Sequence, residues 1–133
     1  FVSSNKGIAV IPAAPDKDMT NAEISRWESL SERERENELY KLEKTVPELE
    51  ITQEMRQEAF DNFQTTDDHG MHIIGYSKDQ FDNIFYKVKN SWGDYNLYNG
   101  YLYVSKPYMR YKTMSVMLHK DGIPQHIKEK LEL

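Results

Sequence analysis

Apolar positions follow two different rhythms along this chain. Gly7-Ile8-Ala9-Val10-Ile11 is a short unbroken apolar run stopped by Pro12 and Pro15, the pattern of one buried strand entering a turn-rich connection. Helical spacing then takes over. Thr20 with Glu23 has the offset of a capping box, and Ile24, Trp27 and Leu30 follow at every third position, which predicts a short helix over 21–30. Ser31 with Glu34 repeats the device ahead of Leu39 and Leu42, a narrow stripe on an otherwise charged helix that must end before Pro47. Thr52 can cap a third helix, in which Met55, Ala59, Phe60 and Phe63 form a stripe expected to face a core.

From residue 71 the period shortens. Met71-His72-Ile73-Ile74-Gly75-Tyr76 reads as a strand, with Ile84-Phe85-Tyr86-Lys87-Val88-Lys89 as its partner across a loop containing Asp82-Asn83. Asn99-Gly100 signals a tight turn before Tyr101-Leu102-Tyr103-Val104. The mixture of β-branched, aromatic and flexible apolar residues over 111–118 predicts a fourth strand, and Pro124 suits the first turn of a final helix over 124–131. Helices followed by an antiparallel meander make an α+β fold, divided into a helical segment, 1–64, and a strand-rich lobe, 65–133.

Composition sharpens that division. Residues 1–68 carry a net charge of −8 and residues 69–133 one of +3, while 11 of the 16 aromatic residues lie in the second part. A chain with net charge −5 and no dense basic face is a poor binder of nucleic acid, where counterion release demands clustered Lys and Arg. No run approaches the roughly 18 apolar residues of a membrane span. Compartment stays open. The chain has no cysteine, which removes disulfides, thiolate metal sites and a thiol nucleophile from its own 133 residues.

The segment Thr65-Thr66-Asp67-Asp68-His69-Gly70-Met71-His72 stands where the helical and strand-rich parts meet. It could be a solvated acidic loop with incidental histidines. It could hold a divalent metal through Asp67, Asp68, His69 and His72, but extended residues three apart point to opposite faces and neither an HxxxH nor an EF-hand spacing is present. A third reading makes His69 a general base. A neutral imidazole needs one nitrogen held by a fixed acceptor so that the other faces the reacting group. Asn90, 21 positions on and at the end of the strand expected over 84–90, would be brought near by pairing of that strand with 71–76, and Trp92 could shield the contact from water.

Asp68-His69-Gly70-Met71 followed by Val88-Lys89-Asn90-Ser91-Trp92-Gly93, with Gly100-Tyr101-Leu102-Tyr103 beyond, resembles the histidine and asparagine motifs of the papain-like cysteine peptidases, most closely their bleomycin hydrolase and aminopeptidase C branch. The likeness covers 65–133 well and is weak before residue 65. It implies a papain-like β-rich lobe, a peptide substrate and no cofactor or metal. His69 then matches the catalytic base and ion-pair partner of a thiolate, Asn90 the residue that orients the imidazole, and Trp92 the indole that shields their contact. Asp68 matches an acidic neighbour that favours the imidazolium. In that branch the chain's own carboxyl terminus reaches the cleft and holds the substrate's free amine, which would place Leu133 as an amine anchor. Two family features have no counterpart, the nucleophilic cysteine and the glutamine of the oxyanion hole. The nucleophile of such enzymes precedes the histidine by about 130–150 residues, so it is expected before Phe1, on an amino-terminal lobe that pairs with this one. By itself the chain is expected to be inactive, and the face normally covered by that lobe to be apolar enough to bind it or a second copy. Alternatively, the chain is a non-catalytic module that holds peptides. His119 and His126 are expected at ordinary surface positions.

Overall fold

The computed structural model describes residues 2–3, 6–12, 20–31, 33–35, 37 and 47–133. Leu39, Leu42 and Pro15 lie outside them. Five strands, β1 (Val2–Ser3), β2 (Ile8–Ala9), β3 (His72–Lys78), β4 (Ile84–Lys89) and β5 (Tyr101–Ser105), form one sheet in the order β1-β2-β5-β4-β3. Among the described residues, helices are formed by α1 (Asn21–Ser29), α2 (Gln53–Asp61), α3 (Lys106–Lys112) and α4 (Gln125–Leu131), with a 3₁₀ turn at Lys120–Gly122 and further helical residues at 33–35 and 37. The fold is α+β. Among the described residues no helix is long and apolar enough to cross a membrane.

Local caps explain where the helices begin. The Thr20 hydroxyl accepts the Glu23 N–H while the Glu23 carboxylate accepts the Thr20 N–H at 2.8 Å, so two donors that α1 leaves open are satisfied reciprocally. At its other end Arg35 donates to the carbonyls of Trp27 and Glu28 at 3.1 and 2.8 Å. A cation there suits the negative end of the helix. Thr52 caps α2 by accepting the Met55 N–H at 3.3 Å.

The sheet's middle carries the core. Antiparallel pairing sets Tyr86 opposite Val104 and Val88 opposite Leu102, and β2 adds to β5 in parallel, Ala9 opposite Val104. Side chains two apart share a face, so Ala9, Val88, Leu102 and Val104 form one buried patch, on which Tyr108 and Met109 of α3 pack. The opposite face is mixed: Phe85 is buried on it, while the ammonium groups of Lys87 and Lys89 lie 4.5 and 4.6 Å from the ring centre of Tyr101. A strand from the first part of the chain thus completes the sheet of the second.

Two expectations are overturned. Residues 111–118 form no strand: Tyr111 and Lys112 close α3, and residues 113–119 run without regular structure. The cause is local, because Ser105 accepts the Tyr108 N–H at 3.2 Å and Pro107 stands in the first turn, starting a helix directly at the end of β5. The stripe on α2 is also only partly buried. Ala59 is 1% exposed, but Phe60 is 53% and Phe63 81% exposed. Phe60 is turned about 100° from Ala59 by the helical pitch. Phe63 lies past the helix end at φ 61°, which swings it off the helical face.

Candidate active site

The site forms where the β3–β4 ladder ends. His72 pairs with Lys89 as the last rung, so the segment before β3 and the residue after β4 leave the sheet side by side. Asn90 continues the alternation of Tyr86 and Val88 and is buried at 3% exposure. Its N–H donates to the Gly100 carbonyl at 3.2 Å. His69 approaches from an exposed segment whose other end is anchored at Thr65, buried beneath α2: Thr65 donates its N–H to the Ala59 carbonyl at 2.9 Å, and Lys112 of α3 donates to the Gln64 carbonyl and the Thr65 hydroxyl.

His69 Nε2 lies 2.8 Å from Asn90 Oδ1. The orientation of the amide follows from its neighbours. The Ser91 N–H, which can only donate, points at the same Asn90 atom from 2.8 Å, so that atom is the carbonyl oxygen and Nε2 must carry the hydrogen it shares. Neutral His69 therefore keeps its lone pair on Nδ1, which has no hydrogen-bond partner among the described residues. The amide's Nδ2 donates in turn to the Tyr95 hydroxyl at 3.1 Å.

Aromatic rings close the arrangement. Trp92 stands beside the imidazole with ring centroids 5.6 Å apart and planes tilted by 40°, and Tyr95 follows at 5.5 Å from Trp92. Trp92 is 59% exposed, so beside the imidazole it keeps much of its own surface in water. The loop 91–100 that carries both rings is tied by Asn96, whose Oδ1 accepts the N–H groups of Tyr98 and Gly100 at 2.9 and 3.0 Å while its Nδ2 donates to the Tyr101 carbonyl at 2.9 Å.

The remaining sequence candidates make no hydrogen bond to this cluster among the described residues. Asp68 is exposed, and its charge acts on Tyr108 of α3, whose hydroxyl is pushed above its ordinary pKa first by burial and then by that carboxylate. Leu133 is 75% exposed beyond α4, where the left-handed Glu132 turns the chain so that the Leu133 N–H donates to the Lys128 carbonyl at 3.0 Å. His72 is exposed on β3, and His119 caps the 3₁₀ turn by accepting the Asp121 N–H at 3.3 Å. No group of three or more potential ligands gathers to hold a metal among the described residues.

Four contributors escape the sequence reading. Tyr95 and Asn96 carry no periodic or motif signal. Ser105 with Pro107 is a cap signal that the composition of 111–118 obscures.

The model of the peptidase C1-like family matches residues 23–133, a span that includes His69, Asn90 and Trp92. No curated protein matches the chain. With the family pattern running over most of its length, through an α+β fold of the papain-like kind, this chain belongs to the peptidase C1-like family.

Proposed function

We propose that the chain supplies the histidine and asparagine of a papain-like cysteine aminopeptidase, the thiol coming from polypeptide outside these 133 residues. The observation that supports this is the 2.8 Å contact of His69 Nε2 with Asn90 Oδ1, whose direction leaves Nδ1 as the nitrogen that exchanges a proton. A cysteine paired with an imidazolium can have its pKa lowered to about 3–4, so the pair rests as thiolate and imidazolium. The thiolate sulfur attacks the peptide carbonyl carbon, and the π electrons move onto oxygen. When the tetrahedral adduct collapses, the C–N bond breaks and the Nδ1 proton goes to the departing amine. Neutral His69 then takes a proton from water, which adds to the thioester and releases the acid and the thiolate. Asn90 keeps the ring in one orientation throughout, and Trp92 limits water's competition for the Nε2 hydrogen bond.

Restriction to amino-terminal residues belongs to the same proposal, with the Leu133 carboxylate holding the substrate's free amine. The exposure of Ile73 (44%), Ile74 (46%) and Tyr76 (71%) along β3 supports a surface that a partner lobe, or a second copy of the chain, covers.

His69→Ala in the natural protein should lower peptide turnover by about 10²–10⁴-fold with the melting temperature little changed. Unchanged turnover overturns the reading. Free-amine peptides should be cleaved and their acetylated forms spared. The absence of cysteine favours one other reading, a module that holds peptides without cleaving them. A thiol-directed peptide inhibitor separates the two, because covalent labelling is expected only of the enzyme.

A further inference from the structure

Asn90 has its two amide ends satisfied by different parts of the chain. The carbonyl end receives the Ser91 N–H and the His69 Nε2–H, both at 2.8 Å. Among the described residues the amino end has one partner, the Tyr95 hydroxyl at 3.1 Å. Asn90 is 3% exposed, so water cannot readily replace that acceptor. Tyr95 also touches the site by a second route, since its ring packs against Trp92 at 5.5 Å and Trp92 packs against His69 at 5.6 Å. The four side chains form a closed circuit in which the imidazole is hydrogen-bonded by Asn90 and flanked by the tilted ring of Trp92, and Tyr95 contacts both.

We infer that Tyr95 is a positioning residue that keeps the Asn90 carbonyl within reach of His69, and so holds the ring in the orientation and tautomer that the amide, oriented by Ser91, dictates. This deepens the peptidase reading of the site and rests on it only for its consequence in turnover. The physical argument is one of donor and acceptor count. A reversed amide would set its amino group against the Ser91 N–H, two donors facing each other, and its oxygen against the Tyr95 hydroxyl. The second of those contacts is tolerable, because a hydroxyl both donates and accepts. The barrier to reversal thus comes from Ser91, whereas Tyr95 fixes where the correctly oriented amide sits. Without the hydroxyl, a buried N–H₂ is left without an acceptor and moves toward solvent, carrying Oδ1 away from Nε2.

Tyr95→Phe tests this, because it keeps the ring against Trp92 and deletes only the acceptor. The protein, labelled with ¹⁵N-histidine, is followed by NMR across pH, with His69 identified by the signals lost in His69→Gln. In the parent protein neutral His69 should carry its hydrogen on Nε2. In Tyr95→Phe the tautomers should mix, the slowly exchanging Nε2–H signal should broaden or vanish, and the melting temperature should move little. In an Asn90→Ala background Tyr95→Phe should change nothing further, since the effect travels through Asn90. In the natural protein kcat should fall about two- to tenfold with KM unchanged, the size of one lost neutral hydrogen bond. A Tyr95→Phe protein that keeps the parent tautomer, exchange rate and titration overturns the inference. So does an equal effect in the Asn90→Ala background. If the tautomer changes but His69→Ala leaves peptide turnover intact, the positioning role stands and the peptidase reading fails.

Discussion

Gly93 and Gly100 offer a matched pair for measuring how tightly the loop beside the site is built. Both occupy the left-handed region, at φ 73° and 77°. A Cβ added at Gly93 would meet nothing within 4 Å, whereas one at Gly100 would lie 1.9 Å from the Gly93 carbonyl oxygen and 2.9 Å from its carbon. Gly93→Ala therefore pays only for a left-handed alanine, roughly 1–2 kcal/mol. Gly100→Ala carries that cost and must also move backbone by more than 1 Å, because the obstacle is a carbonyl and not the end of a flexible side chain. Overpacking of this kind adds about 1–3 kcal/mol. For a chain of this length each kcal/mol lowers the melting temperature by about 3–5 °C, so Gly100→Ala should melt about 3–15 °C below Gly93→Ala. The consequence reaches the site directly. Gly100 accepts the Asn90 N–H at 3.2 Å, and displacing it drags Asn90 from His69. Circular dichroism melts of the two variants, run side by side with proton NMR of the His69 Nε2–H, supply the test. Equal melting temperatures, or a Gly100→Ala protein with the parental Nε2–H signal, would refute the reasoning.

Two further outcomes follow from buried polar groups. Glu48 accepts the Ile11 N–H at 2.7 Å and the hydroxyl of the fully buried Ser105, and burial pushes its carboxyl above the ordinary glutamate pKa despite those bonds. The folded state then holds a proton more tightly than the unfolded one, so stability from this group is fully present below the unfolded pKa and is lost as pH rises through the folded value. Glu48→Gln should flatten the stability curve just above the ordinary glutamate range, and chemical denaturation at a series of pH values checks it; a parental slope in the variant would contradict the assignment. Lys112→Met removes the donor to the Gln64 carbonyl and to the Thr65 hydroxyl at 3.0 Å, and should cost about 1–3 kcal/mol by urea unfolding, with faster hydrogen exchange at the Thr65 amide.

What could be read from the sequence was local. The starts of α1 and α2 are legible because Thr20 and Thr52 sit three residues before the N–H groups they accept, and β4 is legible as a run rich in aromatic and β-branched residues, Ile84-Phe85-Tyr86-Lys87-Val88-Lys89. The fourth strand expected over 111–118 fails because composition reports how residues would pack in a sheet and says nothing about whether an edge is available to receive them. Ser105 had already ended β5, committing its side chain to the Tyr108 N–H and to Glu48. The parallel pairing of β2 with β5 joins residues about a hundred positions apart and has no local signature. The nearness of residues 69 and 90 follows from strand pairing that the period-two pattern suggests. Tyr95 is different: its place depends on how Asn96 folds the loop, three backbone bonds that no periodicity announces.

The ladder itself decides which residue meets Asn90. Along β3 and β4, Tyr76 faces Tyr86 and Gly75 faces Lys87, but the next pairs are Ile73 with Val88 and His72 with Lys89, so Ile74 is an extra residue in a bulge. Beyond the bulge, each β3 residue meets a partner one place earlier in β4 than the rest of the strand would dictate, Ile73 facing Val88 and His72 facing Lys89. In a two-residue repeat, one place is a change of face. Were the pairing regular, His72 would stand opposite Asn90, and the segment that carries His69 would leave the sheet one place further along. The buried end of β4 supplies a rigid acceptor, and the irregularity in the exposed strand delivers the imidazole to it. The irregularity costs the sheet one ladder rung and is what allows the two residues to meet.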